Sequence, residues 1–439
     1  MTQQKNLKQR IRQRMEKTGE SYASARRMAL QQAPPAHDHS QPFMHMPGSV
    51  PGATALRSLL ANAGLRADHD GKPYSEAMIF GIAGGIGAGV FSFHYAKENL
   101  STFYIAGRHL WHDDLGYLRA AAQRMGAKVE VKETGGAKQA ASQLDAALKQ
   151  GPAIAWVDMA ELGTRGLPDY WSGGGYHVLV VFQGKDGDYV LGDLADQPAH
   201  LPAKQLAKAR GRIKKDKHRL LQVVQVPARI DLHQAVTDGL RACHHGLTNA
   251  RLKNFTLQAF AKWAKDLRSE AKDGWGQMFN PGPNLWRGLT SVYDFIEHYG
   301  TGGGLCRPLF ADFLEEAGQL LAAAPLQSLA ERYRGLGKGW TELAQLALPG
   351  DAGALARARQ LLDEKAERYL VEGASSKAEY ESLWSELMAL GGEAGTDFPL
   401  SAKQVLALRQ RLADKVEVLH ADEAEALVAM EAVVAELAA

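Results

Sequence analysis

The chain has 439 residues, which is too long for one average domain and predicts two or three. Hydrophobic residues make up 45% of it and charged residues 23%, a balance that permits sizeable cores and excludes a generally disordered protein. The formal net charge of +2 identifies no class of partner, and the two cysteines, Cys243 and Cys306, exclude a disulfide framework or a cysteine-based zinc cluster.

No targeting or membrane-spanning segment is indicated by the sequence. The first residues, MTQQKNLKQRIRQRM, have no apolar stretch of the secretory type. No run of about eighteen apolar residues occurs in the chain. We therefore expect a cytoplasmic protein, in a reducing compartment, that does not associate with membranes.

Charge is concentrated at the two ends of the chain. Residues 1–30 contain eight lysines and arginines and two glutamates, whereas residues 351–439 contain nine basic and seventeen acidic residues. A basic head and an acidic tail of this kind could attract each other or bind separate partners.

Residues 1–32 are interpreted as a basic helical arm. A break over 18–21 (TGES) contains a glycine followed by an N-cap serine and predicts two short helices over 5–31. We expect a solvated arm that docks on the protein's own surface, so that a chain lacking residues 1–40 keeps its fold. The alternative is that residues 5–30 bind nucleic acid or another polyanion.

Residues 33–42 (APPAHDHSQP) are predicted to form a proline-rich linker. Its His37 and His39, with His45 beyond, could be imagined as metal ligands, but a flexible linker rarely preorganises them. We therefore predict no metal site and no cofactor.

Residues 43–228 are predicted to form an α+β domain. Apolar and β-branched runs predict strands at 103–107, 128–133, 153–159, 177–182, 188–193 and 220–226. Helical periodicity predicts helices at 53–64, 75–82, 113–125 and 136–149. The last three strands are close enough in sequence to form a meander, which favours an antiparallel sheet over a doubly wound parallel one.

The rest of the chain is predicted to be helical. Residues 229–348 are interpreted as a helical domain, interrupted at 276–284 and by the sequence GTGGG at 300–304. Residues 349–439 are interpreted as an acidic region of three or four helices, rich in alanine, leucine and glutamate.

His177 and Asp193 are the main candidates for chemistry. His177 follows three glycines and opens an apolar strand, and Asp193 follows another strand sixteen residues later. A tight turn over 185–188 would bring them side by side, where the carboxylate could orient the imidazole as in a nucleophilic triad. The alternative is a buried, hydrogen-bonded structural histidine. A triad also needs a nucleophile at the start of a helix, where the helix dipole lowers a thiol pKa, yet the helix near residue 53 contains no cysteine.

Four sequence blocks resemble the butirosin biosynthesis protein H family. PGSVPGATALRSLL (47–60) is similar to the family's opening PGxHCGSTALRNLL, and SEAMIFGIAGGIGAG (75–89) is similar to its SExMxFGLGSGLGFG. The strand at 177–182 resembles the family's GHHVVVV, and the block at 293–317 contains GTGGGLCR where the family has GTGGGLFR. The resemblance covers residues 43–348 in family order.

The resemblance implies a papain-like fold and the transfer of an acyl group from a carrier-protein thioester to an amine through a Cys–His–Asp site. Carried over by position, His177 takes the general-base role and Asp193 the orienting role, while the family's His-Cys dipeptide falls on Val50 and Pro51. Proline has no nucleophile and lacks the backbone N–H that commonly helps to bind an oxyanion in such sites. We therefore expect the nucleophile to be lost.

No other residue is expected to replace the missing thiol. Ser49 and Thr54 carry nearby hydroxyls but do not occupy the matching position. Cys306 stands where the family's glycine block has phenylalanine, and we expect it to be a packed side chain. Cys243 adjoins two histidines in a helical stretch, but neighbouring positions on a helix do not face each other.

Two glycine-rich blocks are further candidates for ligand binding. GGIGAG (84–89) does not fit the dinucleotide-binding pattern. In the second block, the amides of Gly302, Gly303 and Gly304 could hold a carboxylate or phosphate with help from Arg307. The alternative is a tight turn between two helices.

Three functions are compatible with these observations. The first is a pseudoenzyme that uses the acyltransferase fold to bind an acyl carrier protein, a peptide or a protein partner. The second is an active acyl- or aminoacyltransferase in which His177 and Asp193 activate an acceptor amine for direct attack on a thioester. The third is an interaction scaffold in which the basic arm and the acidic tail matter most.

Overall fold

The computed structural model describes residues 3–32, 43–184 and 187–438. It is a mixed structure with antiparallel sheets in its N-terminal half and helices in its C-terminal half, so the predicted α+β class is confirmed. The predicted linker at 33–42, with His37 and His39, lies outside the described residues.

The N-terminal half begins with the two helices of the arm and continues with alternating helices and strands. These elements are α1 (Gln3–Thr18), α2 (Tyr22–Gln32), α3 (Pro51–Asn62), α4 (Glu76–Ile82), β1 (Ile86–Tyr95), β2 (Leu100–Arg108), α5 (Asp114–Arg124), β3 (Lys128–Lys132), α6 (Ala137–Leu148), β4 (Ala153–Asp158), α7 (Met159–Leu162), β5 (Tyr176–Gln183), β6 (Asp188–Gly192), β7 (Ala199–Pro202), α8 (Ala203–Arg212) and β8 (Leu220–Gln225).

The C-terminal half of the described chain contains helices joined by short turns. They are α9 (Leu232–Asn249), α10 (Gln258–Arg268), α11 (Trp275–Met278), α12 (Pro283–Glu297), α13 (Arg307–Leu320), α14 (Ala324–Ala347), α15 (Gly353–Glu372), α16 (Lys377–Glu393) and α17 (Ala402–Leu437). The domain boundaries at 228 and 348 stay predictions, because one continuous hydrophobic core includes side chains from both halves.

The main sheet has six strands in the order β3-β8-β4-β5-β6-β7, and every neighbouring pair is antiparallel. The predicted meander of β5, β6 and β8 is wrong in its third member. β7 pairs with β6, while β8 returns to lie between β3 and β4. β7 has only four residues, too few for an alternating pattern to indicate a strand in the sequence.

A separate two-stranded sheet is formed by β1 and β2. The sequence predicted β2 but not β1, because glycines at 87 and 89 interrupt the β-branched pattern. Both glycines are required where the hairpin meets its neighbours. A β-carbon on Gly89 would lie 2.3 Å from the indole nitrogen of Trp111, and one on Gly87 would lie 2.5 Å from the carbonyl oxygen of Arg108.

The six-stranded sheet is buried on both faces. The side chains of Val178, Val180 and Phe182 in β5 pack in the core that contains side chains of α3. Leu179 and Val181 pack on the opposite face, in a second core with side chains of α6 and α8. Because side chains alternate along a strand, an apolar run such as VLVVF is what a strand with two covered faces requires.

The basic arm is buried more deeply than its composition indicates. Ile11 of α1 and Tyr22, Ala25 and Ala29 of α2 form an apolar cluster with Val371 of α15. The two predicted helices are present, but the expectation of a solvated arm is wrong for α2. Three of its six apolar residues are alanines, and two adjacent arginines stand among them, so the sequence resembles a solvated helix although the structure covers it.

The basic head and the acidic tail do attract each other. Nζ of Lys8 lies 3.1 Å from a carboxylate oxygen of Glu372, and Nη2 of Arg12 lies 3.3 Å from one of Glu367. Arg12 is largely exposed, so its pair contributes little to stability. The buried apolar cluster, rather than these surface pairs, holds the arm in place.

In the part of the chain that the structure describes, none of the helices combines the length and the apolar character needed to cross a membrane.

Removal of residues 1–32 should destabilise the protein. It would uncover Val371 and would leave Asp196 without its ion-pair partner Arg26, while Asp312 would lose Arg27 and keep only Arg334 at 3.6 Å. We expect the free energy of unfolding to fall by at least about 3 kcal/mol, the usual cost of breaking a buried ion pair. Urea unfolding followed by circular dichroism measures this, with Arg12→Gln as a control that should change little. An unchanged midpoint would instead support an independent arm.

Candidate functional site

Helix α3 begins at Pro51, in the position where the resemblance places a nucleophile. Val50 is the extended residue before the helix, with φ −119° and ψ 114°, and no side chain caps the helix end. Proline is favoured at the first helical position because its fixed φ suits the helix and its missing N–H would have no partner within the helix. A proline at residue 51 is thus compatible with the local fold, but it supplies neither a thiol nor an amide donor.

The amides just before Pro51 are bonded to Glu76 at the start of α4. The N–H groups of Ser49 and Val50 and the hydroxyl of Thr54 all donate to Oε1 of Glu76, each at 2.8 Å. Glu76 is buried. A carboxylate in this place competes with any anion for the same donors, so an oxyanion would not find these two amides free.

His177 and Asp193 are brought together as their spacing predicted. His177 lies near the start of β5 and Asp193 directly follows β6, in the register that pairs Val180 with Gly192. This register makes the two residues diagonal neighbours on one sheet face, which long side chains can span. Nε2 of His177 lies 2.8 Å from Oδ1 of Asp193. The nitrogen Nδ1 is the atom left to exchange a proton with another group.

Asp193 has two further partners that sequence reasoning missed. Arg165 Nη2 donates to its Oδ2 at 2.8 Å, and the hydroxyl of Tyr369 donates to the same oxygen at 2.6 Å. The Arg165 guanidinium also lies 4.0 Å from the centre of the Tyr369 ring. Although burial alone would raise it, the pKa of Asp193 is held well below its usual range by His177, Arg165 and these hydrogen bonds. No sequence signal marks Tyr369, because it lies in α15 and is 176 residues from Asp193 along the chain.

The His177–Asp193 pair and the body of α3 lie on opposite faces of the sheet. The pair shares its face with Leu179, which lines a small cleft together with Asp193. The start of α3 approaches the pair at the sheet edge, where the amide of Gly48 donates to the carbonyl of Leu194 at 3.3 Å. The predicted site has two halves, the start of α3 and the His177–Asp193 pair, and the backbone segments beside them are in contact at this edge.

The GTGGG loop covers the start of α3. A β-carbon on Gly300 would lie 3.3 Å from Cδ of Pro51, and one on Gly302 would lie 2.9 Å from Cβ of Ser49. Both glycines have positive φ, +70° and +66°, a conformation that larger residues rarely adopt. The loop connects α12 to α13, as the interhelical-turn interpretation predicted, and it also packs against α3.

Arg307 does not point towards a free anion site at this loop. Its side chain is fully buried, and its Nε donates to Oε1 of Glu423 in α17 at 2.6 Å. The carbonyl of Gly302 already accepts a hydrogen bond from Arg27. Anion binding by the amides of Gly302, Gly303 and Gly304 stays a prediction. Nε and Nη1 of Arg307 are already hydrogen-bonded, whereas its buried Nη2 has no partner among the described residues.

Neither cysteine can take the place of the missing thiol in this structure. Cys243 and Cys306 are completely buried, and burial raises the pKa of each thiol to about 12. The thiolate is the reactive form, so both side chains are inert near neutral pH. Ser49 is buried as well.

His45 contacts the segment that follows β6. Its Nε2 lies 2.8 Å from the carbonyl oxygen of Ala195, and burial lowers its pKa. It therefore has a structural partner of its own.

Protein-family models match two segments of the chain. Residues 51–194 match the family described as "Butirosin biosynthesis protein H, N-terminal", and residues 204–369 match one described as "Domain of unknown function (DUF4872)". No curated protein matches the chain. The first match begins at Pro51 and ends one residue after Asp193, and the second ends at Tyr369. The resemblance seen in the four sequence blocks is confirmed, and the arm lies outside both matches.

Asp193→Asn should destabilise the protein near neutral pH. The substitution leaves the guanidinium of Arg165, which is 13% exposed, without its carboxylate. We expect a loss of about 3 kcal/mol in the free energy of unfolding. The exposed Asp169, which forms no ion pair among the described residues, offers the control Asp169→Asn, with an expected change within about 0.5 kcal/mol.

The effect of Asp193→Asn should depend on pH with a defined sign. The folded pKa of Asp193 is depressed, so its contribution is fully present above the unfolded value of about 4 and decreases as the pH falls below it. Urea titrations between pH 3 and pH 7 give the free energy of unfolding of the wild type and of Asp193→Asn. The difference between the two free energies should be constant near pH 7 and should become smaller as the pH falls towards 3. A difference that widens in acid would contradict an ionised Asp193.

Proposed function

We propose a function from the premise that this chain belongs to the butirosin biosynthesis protein H family, its residues 51–194 being the N-terminal domain of that family. The protein is related to acyltransferases of this family. In our proposal it is a pseudoenzyme, which keeps a papain-like binding fold but has lost the nucleophile that would form an acyl-enzyme.

The start of α3 carries this proposal. Pro51 stands at the first helical position, where the resemblance places the thiol, and it has no side-chain nucleophile and no N–H. The amides of the two preceding residues donate to Glu76. Both requirements of covalent acyl transfer, an activated nucleophile and donors for the oxyanion, are thus unmet at the same point.

The ligand in this proposal is one that the family would otherwise process. It is an acyl group presented on a carrier protein, or a peptide or protein partner that uses the same surface. Binding without turnover needs the pocket but not the thiol, so this function is compatible with Pro51.

A second candidate is direct acyl transfer without a covalent intermediate. The hydrogen bond between His177 and Asp193 favours it, because the carboxylate fixes the imidazole with Nδ1 free to accept a proton. In this mechanism Nδ1 takes the proton of an acceptor amine as the amine attacks the thioester carbonyl. The C–N bond forms, the C–S bond breaks, and the imidazolium returns the proton to the sulfur of the leaving thiolate. The difficulty is again the oxyanion, for which residues 49–51 provide no free amide.

The protein should form no covalent acyl adduct. Incubation with acyl-N-acetylcysteamine or acyl-coenzyme A thioesters, followed by intact-protein mass measurement, should show only the unmodified mass. A stoichiometric adduct that disappears in Cys243→Ala, Cys306→Ala or Ser49→Ala would overturn the pseudoenzyme proposal. Release of free thiol that needs an amine, and is lost in His177→Ala, would favour the second candidate.

Pro51→Cys should restore a reactive thiol. The substitution supplies a thiol at a helix N-terminus and the missing N–H, and both the helix dipole and a nearby imidazole would lower the thiol pKa. Iodoacetamide near neutral pH should modify this cysteine faster than Cys243 or Cys306, which are buried. Mass spectrometry of the digested protein distinguishes the three sites.

The control for this experiment is the double variant Pro51→Cys with His177→Ala. A slower reaction in the double variant supports the pairing of the two positions. A thiol that reacts like a free cysteine in both variants would mean that residue 51 and His177 do not form one site.

A further inference from the structure

The arm contributes a buried arginine to the centre of the structure. Arg26 of α2 is 1% exposed, although α2 lies outside both segments matched by family models. Its Nη1 donates to the carbonyl of Gly48 at 3.0 Å, and its Nη2 donates to the carbonyls of Leu194 at 3.1 Å and Leu370 at 3.4 Å. One side chain therefore joins three segments that are far apart in the sequence.

Each of these carbonyls belongs to a segment that carries part of the candidate site. Gly48 lies three residues before Pro51, where α3 begins. Leu194 directly follows Asp193, and Leu370 directly follows Tyr369, the residue whose hydroxyl donates to Asp193. The contacts made by Arg26 thus fall on both halves of the site at the sheet edge.

The charge of Arg26 is balanced within the same group of contacts. Asp196 forms an ion pair with its Nη2, and the amide of Asp196 donates to the carbonyl of Leu370 at 2.8 Å. A guanidinium has a planar set of five N–H donors, which allows it to bind several carbonyls and a carboxylate at once. Lysine has one ammonium group and cannot span the same three segments.

The neighbouring arginine acts on the loop that covers Pro51. Arg27 Nη1 donates to the carbonyl of Gly302 at 2.9 Å, and its Nε donates to Asp312 at 2.6 Å. Gly302 in turn lies against Ser49. Arg26 and Arg27 are both buried, so neither is exposed to a polyanion in this arrangement.

We propose that Arg26 is a positioning residue for the candidate site. It fixes the start of α3, the segment after Asp193 and the segment after Tyr369 relative to one another, so that the arm contributes to the site. The inference rests on the proposed function in that it takes these segments to form one site. Arg26 acts through its neighbours and touches no reacting atom. Its removal should therefore alter the geometry of the pair in addition to lowering stability.

The experiment compares Arg26→Gln and Arg26→Lys with Arg12→Gln in the full-length chain. Arg12 is the matched control, since it is an arm arginine that pairs on the surface with Glu367. The first readout is the imidazole N–H of His177, observed by NMR in protein labelled with ¹⁵N-histidine and assigned with His177→Asn. The second is the rate at which iodoacetamide modifies Pro51→Cys in each background.

In the wild type, the hydrogen bond to Asp193 should protect the His177 N–H from exchange with water. Loss of Arg26 should accelerate that exchange by roughly tenfold, the scale of one hydrogen bond to a charged group. The modification of Pro51→Cys should slow by a similar factor. Arg12→Gln should change neither quantity, and Arg26→Lys should fall between the wild type and Arg26→Gln, because it keeps the charge opposite Asp196 but not the carbonyl contacts.

The proposal would be overturned if Arg26→Gln only lowers the melting temperature, while the exchange of the His177 N–H and the alkylation rate of Pro51→Cys stay unchanged. Arg26 would then be a residue that only stabilises the fold. If Arg26→Gln does not fold, Arg26→Lys gives the same test. Failure of the proposed function would look different. An acyl adduct in the wild type, or a Pro51→Cys thiol indifferent to His177→Ala, would refute that function while the N–H measurement still reports on Arg26.

Discussion

The ion pair between Arg307 and Glu423 is the constraint on which the rest of this structure depends. Both side chains are completely buried, and Trp340 adds a hydrogen bond to the same carboxylate oxygen. Nη1 of the guanidinium reaches the β1–β2 hairpin, where it donates to the carbonyls of Gly87 and Gly107 at 3.3 and 3.4 Å. Two charges removed from water are tolerated only in a narrow set of arrangements, because each must keep its partner. The pair therefore specifies how the hairpin, the start of α13 and the long helix α17 fit together more strictly than apolar packing would.

The position of the GTGGG loop follows from this constraint. The loop ends at Gly304, three residues before Arg307, so the buried pair anchors one side of it. Arg27 of the arm binds the other side through the carbonyl of Gly302. Between these anchors the loop lies against Ser49 and Pro51, which places the start of α3 beneath a loop that is itself covered by α2. An arm outside the family-matched segments thereby contacts the loop that lies against Ser49 and Pro51.

The two halves of the candidate site differ in the chemical groups that they provide. The half at α3 lacks the groups that covalent catalysis needs, since Pro51 offers no thiol and Glu76 accepts the adjacent amides. The half at β5 and β6 is intact, but its integrity has a structural explanation as well. Asp193 neutralises the buried guanidinium of Arg165, so the loss of this carboxylate would be costly whatever the role of His177. The His–Asp pair is for this reason weak evidence of catalysis. Pro51 bears more directly on our proposal, because it offers neither a thiol nor an N–H at the position where the resemblance places the nucleophile.

The sequence by itself determined the α+β class, most strands and helices, the absence of a cysteine from the start of α3 and the closeness of His177 to Asp193. These features depend on local periodicity, on residue chemistry or on two strands adjacent in the chain, all of which are visible in a short window of sequence. It did not indicate that β8 returns to the middle of the sheet, that Tyr369 donates to Asp193, or that a basic arm is buried with Arg26 among backbone carbonyls. Those arrangements join residues far apart in the chain, such as Ile154 with Leu221 in the sheet and Asp193 with Tyr369, or satisfy a buried charge with carbonyl groups, which every residue carries. Only the tertiary structure could decide them, because the pairing of distant segments depends on the packing of the whole chain and leaves no local pattern behind.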